Sequence, residues 1–97
     1  MAELNELIEW LKDWHAHVRV EAARALAYIG LAATDAVPAL TEALKDEDSD
    51  VRAEAAQALA SIGWAATDAV PALTEALRDE DVCVRAEATD ALAKIKE

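Results

Sequence analysis

Residues 51–83 read VRAEAAQALASIGWAATDAVPALTEALRDEDVC, and this stretch decides the fold. Val51, Ala55, Ala58, Leu59 and Ile62 recur at steps of three and four, which lays one apolar stripe along a helix. Asp48 or Ser49 can cap the start of that helix, and Gly63 stands where a left-handed residue would close it. A second helix follows, with Asp68 as its expected cap and Pro71 at its third position, where a missing amide proton costs nothing. Val70, Leu73, Thr74 and Leu77 form its expected stripe, and Arg78-Asp79-Glu80-Asp81 carries the turn onward. These are termed the VR helix and the PAL helix after their sequences. Neither can bury its stripe alone, so neighbouring helices must stack.

The surrounding sequence supplies those neighbours. Residues 18–50 read VRVEAARALAYIGLAATDAVPALTEALKDEDSD, a copy at a period of 33 that differs at only seven positions. A third copy opens at 84–97 with VRAEATDALAKIKE, one VR helix long. Residues 3–13 align their Leu11-Lys12-Asp13 with Leu44-Lys45-Asp46 and form a PAL-type half-repeat. The expectation is a single all-α domain over 1–97, a solenoid of about 2.5–3 helical pairs. Composition agrees, with 25 alanines against two glycines and two prolines.

Charge narrows the function classes. The formal net charge of −11 argues against a phosphate-neutralising nucleic-acid surface and against anionic membranes. No apolar run reaches 18 residues, and the acidic opening Met1-Ala2-Glu3-Leu4-Asn5-Glu6 is no secretory signal. The single cysteine, Cys83, forms no internal disulfide, and a cytoplasmic location is the expectation.

The pattern VR-x-x-A-A-x-A-L-A-x-I-G, then D-A-V-P-A-L, then A-L-[KR]-D-E-D, resembles the HEAT-like repeats related to phycobilisome lyases. The resemblance implies a right-handed solenoid whose VR helices line the concave face. It also implies that Arg19, Arg52 and Arg85 make a repeating ladder with acidic neighbours. No bilin-binding residue can be matched, and no cofactor is expected. The near-identity of the copies is similar to that of artificial HEAT-like binding scaffolds, which points to a consensus-derived or designed member.

The differences between copies are informative. They pair as Val20/Ala53, Arg24/Gln57, Tyr28/Ser61, Leu31/Trp64, Lys45/Arg78, Ser49/Val82 and Asp50/Cys83, while residues 36–44 and 69–77 are identical. All but Lys45/Arg78 lie on the VR helix or its edges, at spacings that follow one helical face. The expected binding face runs through His17, Val20, Arg24, Tyr28 and Leu31, then Asp50, Ala53, Gln57, Ser61 and Trp64. It ends on Cys83, Ala86, Asp90 and Lys94. Tyr, Trp and Arg are the residues enriched at binding hot spots. A non-enzymatic protein-interaction scaffold with an unidentified protein partner is therefore the leading expectation.

The alternative is a cysteine hydrolase using Cys83, because positions 17, 50 and 83 hold His, Asp and Cys at one register. Packed helices lie about 8–10 Å apart, so His17 and Cys83, two repeats apart, stand beyond hydrogen-bond reach. Histidine would also have to stand between nucleophile and carboxylate, and Glu80 and Asp81 oppose a thiolate. His15-Ala16-His17 is a candidate metal pair, but with only Asp13 and Glu47 as helpers it reads as two solvated histidines. The acidic runs 46–48 and 79–81 lack the looped spacing of a calcium site and read as caps and turns; no metal is expected.

The ends differ from the repeats. Glu3 and Glu6 stand where the repeats have alanine, as in a polar cap, yet Trp10 replaces alanine and Trp14 replaces glutamate. The two indoles either fold over the cap's own core or form a contact surface. At the other end no PAL helix follows 84–95, so Val84, Ala88, Leu92 and Ile95 are expected to lie uncovered. Self-association through Trp10, Trp14, Leu92 and Ile95 is the resulting expectation.

Overall fold

The computed structural model describes residues 2–96, and among them there are six α-helices, two 3-10 runs and no strand. The VR helices are α2 (Ala16–Ile29), α4 (Ser49–Ile62) and α6 (Val82–Lys96). The PAL helices are α1 (Leu4–Trp10), α3 (Val37–Ala43) and α5 (Val70–Ala76). α4 packs between α2 and α6 in one layer, while α1, α3 and α5 each pack across onto the VR helix that follows in the chain. The chain is an all-helical solenoid. Its core is built of leucines set among alanines: Leu26, Leu40, Leu59 and Leu73 are fully buried, beside Ala23, Ala33, Ala56 and Ala66. Alanine lets the backbones approach, and leucine fills what remains.

Helix ends follow local chemistry. The Asp48 carboxylate accepts from the amides of Asp50 at 2.8 Å and Val51 at 3.2 Å, and caps α4. Asp81 does the same for α6, accepting from Cys83 at 2.8 Å and Val84 at 3.1 Å. At α2 that register holds His15, whose side chain makes no cap. Asp13 accepts from the His15 amide at 2.9 Å, as Asp46 and Asp79 accept from the amides of Asp48 and Asp81. We expect His15→Asp to stabilise the chain by about 1 kcal/mol by completing the cap. Thermal unfolding should show a melting temperature several degrees higher, and an unchanged or lower value would refute the assignment.

Gly30 and Gly63 close α2 and α4 with φ of 70° and 74°, a conformation open to glycine at little cost. The chain then enters 3-10 runs, Gly30–Ala36 and Gly63–Ala69, each kinked at its middle by a non-helical residue, Ala33 or Ala66, before α3 and α5 begin. This corrects one expectation: Asp68 makes no cap. α5 opens from Ala69, already in the right-handed region at φ −86° and ψ −6°, with Pro71 at the second position.

Two further expectations about the stripes are corrected. In α5, Leu73 is buried but Thr74 is exposed, its hydroxyl donating to the Val70 carbonyl at 2.8 Å. Leu77 is 38% exposed, whereas its counterpart Leu44 in α3 is 4% exposed, because only α3 has a further repeat against it. In α6, Val84, Ala88 and Ile95 are buried, not uncovered. Their stripe faces back onto α4, α5 and the preceding 3-10 run, so it needs no later PAL helix. Ile95 is thus unavailable for association, and Leu92 is half-buried.

Candidate interaction surface

Every residue of the varied set is exposed or half-buried. Tyr28 is 95% exposed and Trp64 67%. The constant alanines between them, such as Ala23, Ala56 and Ala58, are buried and set how closely the helices approach. The buried positions of the layer are thus constant between the copies, and none of the positions that vary is buried.

Two depressions lie between α2 and α4. One, of about 350 Å³, is lined by Arg24, Ala27 and Tyr28 from α2 and by Glu54, Gln57 and Ser61 from α4. The other, of about 430 Å³, brings His17, Val20 and Arg24 together with Asp48 and Asp50. Arg24 belongs to both. Its Nε donates to Glu54 Oε2 at 3.2 Å, and Nη1 lies 3.6 Å from Glu21. Glu54 and Ala27 are floor and wall residues that comparison of the copies misses, because both copies hold the same residue types there. The signal that could have found Glu54 is its spacing of 30 from Arg24, which carries one VR helix onto the next. One repeat on, Gln57 replaces the arginine. There burial pushes the Glu87 carboxyl above the usual carboxylate range, helped by Asp90 and Glu54.

The His17, Asp50 and Cys83 row is only partly assembled. His17 and Asp50 share the second depression, and Cys83 stands outside it. The Cys83 side chain is exposed, and among the described residues its sulfur has no hydrogen-bond partner, while its amide donates to Asp81. The His15 and His17 rings sit 5.7 Å apart, and His15 Nδ1 lies 3.0 Å from Asp13. Among the described residues no three His, Cys, Asp or Glu side chains converge on a metal position.

The arginine ladder forms at two of its three rungs. Arg19 donates Nε to Asp46 Oδ2 at 2.8 Å and Nη2 to Oδ1 at 3.0 Å. Its Nη1 donates to the Asp13 carbonyl at 2.7 Å and more weakly to that of Trp14. Arg52 repeats the fork on Asp79, at 2.9 and 3.0 Å, and the carbonyl contacts on Asp46 and Glu47. Arg85 keeps only the carbonyls, of Asp79 and Glu80; among the described residues no carboxylate meets it. Each complete rung spans two turns, which the sequence alone left as unspecified acidic neighbours.

At the first end, Trp14 is 96% exposed and does not fold over the core. It flanks a hollow of about 560 Å³ with Arg19, Glu42 and Asp46. Trp10 lines a separate apolar groove of about 570 Å³ with Leu7, Val18, Ala22 and Ala25. No helix among the described residues is long and apolar enough to cross a membrane.

Comparison with known proteins agrees with this architecture. A family model described as HEAT repeats matches residues 4–93. Two engineered proteins with crystal structures from the Northeast Structural Genomics Consortium superpose with TM-scores of 0.86 and 0.85, each at 35% identity over 98% of this chain. A third, also engineered, superposes at 0.78 with 37% identity over 97%. The chain spans 46%, 47% and 27% of their respective lengths. No curated protein matches the chain.

Proposed function

The chain belongs to the HEAT-repeat family, and we propose that it is a non-enzymatic, designed protein-interaction scaffold that binds through the outward face of its VR layer. One observation carries this reading: all but one of the positions that vary between near-identical copies lie on the VR helices or at their edges, none is buried, and Arg24, Tyr28, Gln57 and Ser61 line one depression between α2 and α4. Variation by drift would fall equally on the exposed residues of α3 and α5, which are identical instead. The face offers two exposed aromatics, a guanidinium fixed by Glu54 and shallow relief, the chemistry of a protein contact rather than of a reaction. The surrounding acidity favours a partner with a basic patch.

Partners recovered by immobilised chain should be lost together when this face is altered. Trp64→Ala and Tyr28→Ala should each weaken binding by about 2 kcal/mol or more and leave the helical circular dichroism unchanged, since both rings stand in solvent. Glu42→Gln on α3 should change affinity little. Equal losses from α3 and from the VR layer would overturn the reading.

A further inference from the structure

We propose that two copies of this chain join head to tail, with α1 and α2 of one seated on α6 of the other so that the array continues across the junction. Within the chain, each VR helix sends its arginine to the aspartate of the next PAL turn: Arg19 to Asp46, Arg52 to Asp79. Arg85 is the rung with no carboxylate among the described residues. Asp13 is the aspartate at that register with no arginine on its carboxylate among the described residues; the His15 ring lies 3.0 Å from one of its oxygens. The two open ends are complementary.

A second pair repeats the logic. Lys45 lies 3.7 Å from Glu75, one PAL helix on. Arg78 occupies the lysine's register and Glu9 the glutamate's, so a following copy brings them together. The apolar surfaces also match. The groove beside Trp10, between α1 and α2, is formed by Leu7, Val18, Ala22 and Ala25. Leu7 and Ala22 are already buried, but Val18 and Ala25 are only half-buried, whereas their counterparts Val51 and Ala58 on α4 are fully buried with α2 packed against that helix. α6 presents Leu92 at the register of Leu26, and the exposed Leu77 awaits the cover that Leu44 has. One contact opposes: Asp90 takes the place of Arg24 and would face Glu21 where Arg24 meets Glu54. Such an interface is heterologous, so it grows beyond a dimer unless the rotation closes a ring.

Sedimentation velocity at about 100 µM and physiological salt, where the charge of −11 is screened, should show a mass that climbs with concentration past twice the monomer. Arg85→Glu removes one end and the neutral Asp13→Asn the other, and each alone should weaken association about tenfold or more. An equal mixture, in which each variant keeps one intact end, should form one-to-one dimers and nothing longer. Val18→Glu and Leu92→Glu give the same design from the apolar surfaces, should a charge variant lose its helical circular dichroism. Asp90→Arg should strengthen association about threefold by replacing a repulsive contact with an exposed pair. A strict monomer at these concentrations overturns the proposal. So does a single-end variant that still dimerises with itself, which marks a two-fold contact instead.

Discussion

Leu59→Ala should lower the stability of the chain by about 3–4 kcal/mol. Leu59 is fully buried in α4, the VR helix that has another on each side. The other buried side chains of α4 are mostly alanines, Ala55, Ala56, Ala58 and Ala60, whose methyls cannot swing into a vacated space. The hole therefore stays open, and its cost adds to the lost transfer energy. A chain of this size commands only about 5–10 kcal/mol in total, so the variant should melt some 15–25 °C lower, at about 4–8 °C per kcal/mol. The array supplies an internal control. Leu92 holds the same register in α6 but is half-buried, and Leu92→Ala should cost about 1 kcal/mol. Urea unfolding of the two variants side by side checks the ratio; equal losses would show that α4 is no better packed than the end of the array.

Arg52→Met should cost about 3 kcal/mol, for a different reason. The Arg52 and Asp79 side chains are almost wholly enclosed, and the guanidinium makes four hydrogen bonds, two to the carboxylate and two to carbonyls of the preceding turn. Methionine keeps the stem and strands Asp79 without its partner. The Arg52 fork holds the Asp79 carboxyl below its usual range, with the Asp81 amide contributing. A depressed carboxylate stabilises the fold above its unfolded value, near 3.9, and that stability drains away as the pH falls through the folded value. The loss caused by Arg52→Met should accordingly be full at pH 7 and shrink below about pH 4, where Asp79 is neutral in the unfolded chain. Denaturant midpoints taken at pH 7 and pH 3 test this. A pH-independent difference would mean that the carbonyl contacts, not the ion pair, carry the energy.

Most of the fold is legible because its determinants are local. The period of 33, the cap at Asp48 and the positive-φ glycine at 63 each depend on a few adjacent residues, and the structure shows them where the sequence places them. The misreadings concern relations between segments. Asp68 has the right type and spacing for a cap, but the 3-10 run from Gly63 already positions the backbone of α5. Ile95 looks uncovered if each VR helix needs the PAL helix after it, whereas the packing runs to the PAL helix before it. The varied face was legible as a pattern of differences. Glu54, which fixes Arg24, was not, since an invariant residue leaves no trace in a comparison of copies.

The ladder bears on mechanics as well as stability. Arg19 and Arg52 each grip two successive turns at once, so each acts as a strut of fixed length along one edge of the coil. The opposite edge, where the 3-10 runs Gly30–Ala36 and Gly63–Ala69 lie side by side, has no such strut among the described residues. A coil braced along one edge is not an isotropic spring. It resists stretching where the struts are and bends by opening the other side, which makes the curvature of the VR layer adjustable while its pitch stays fixed.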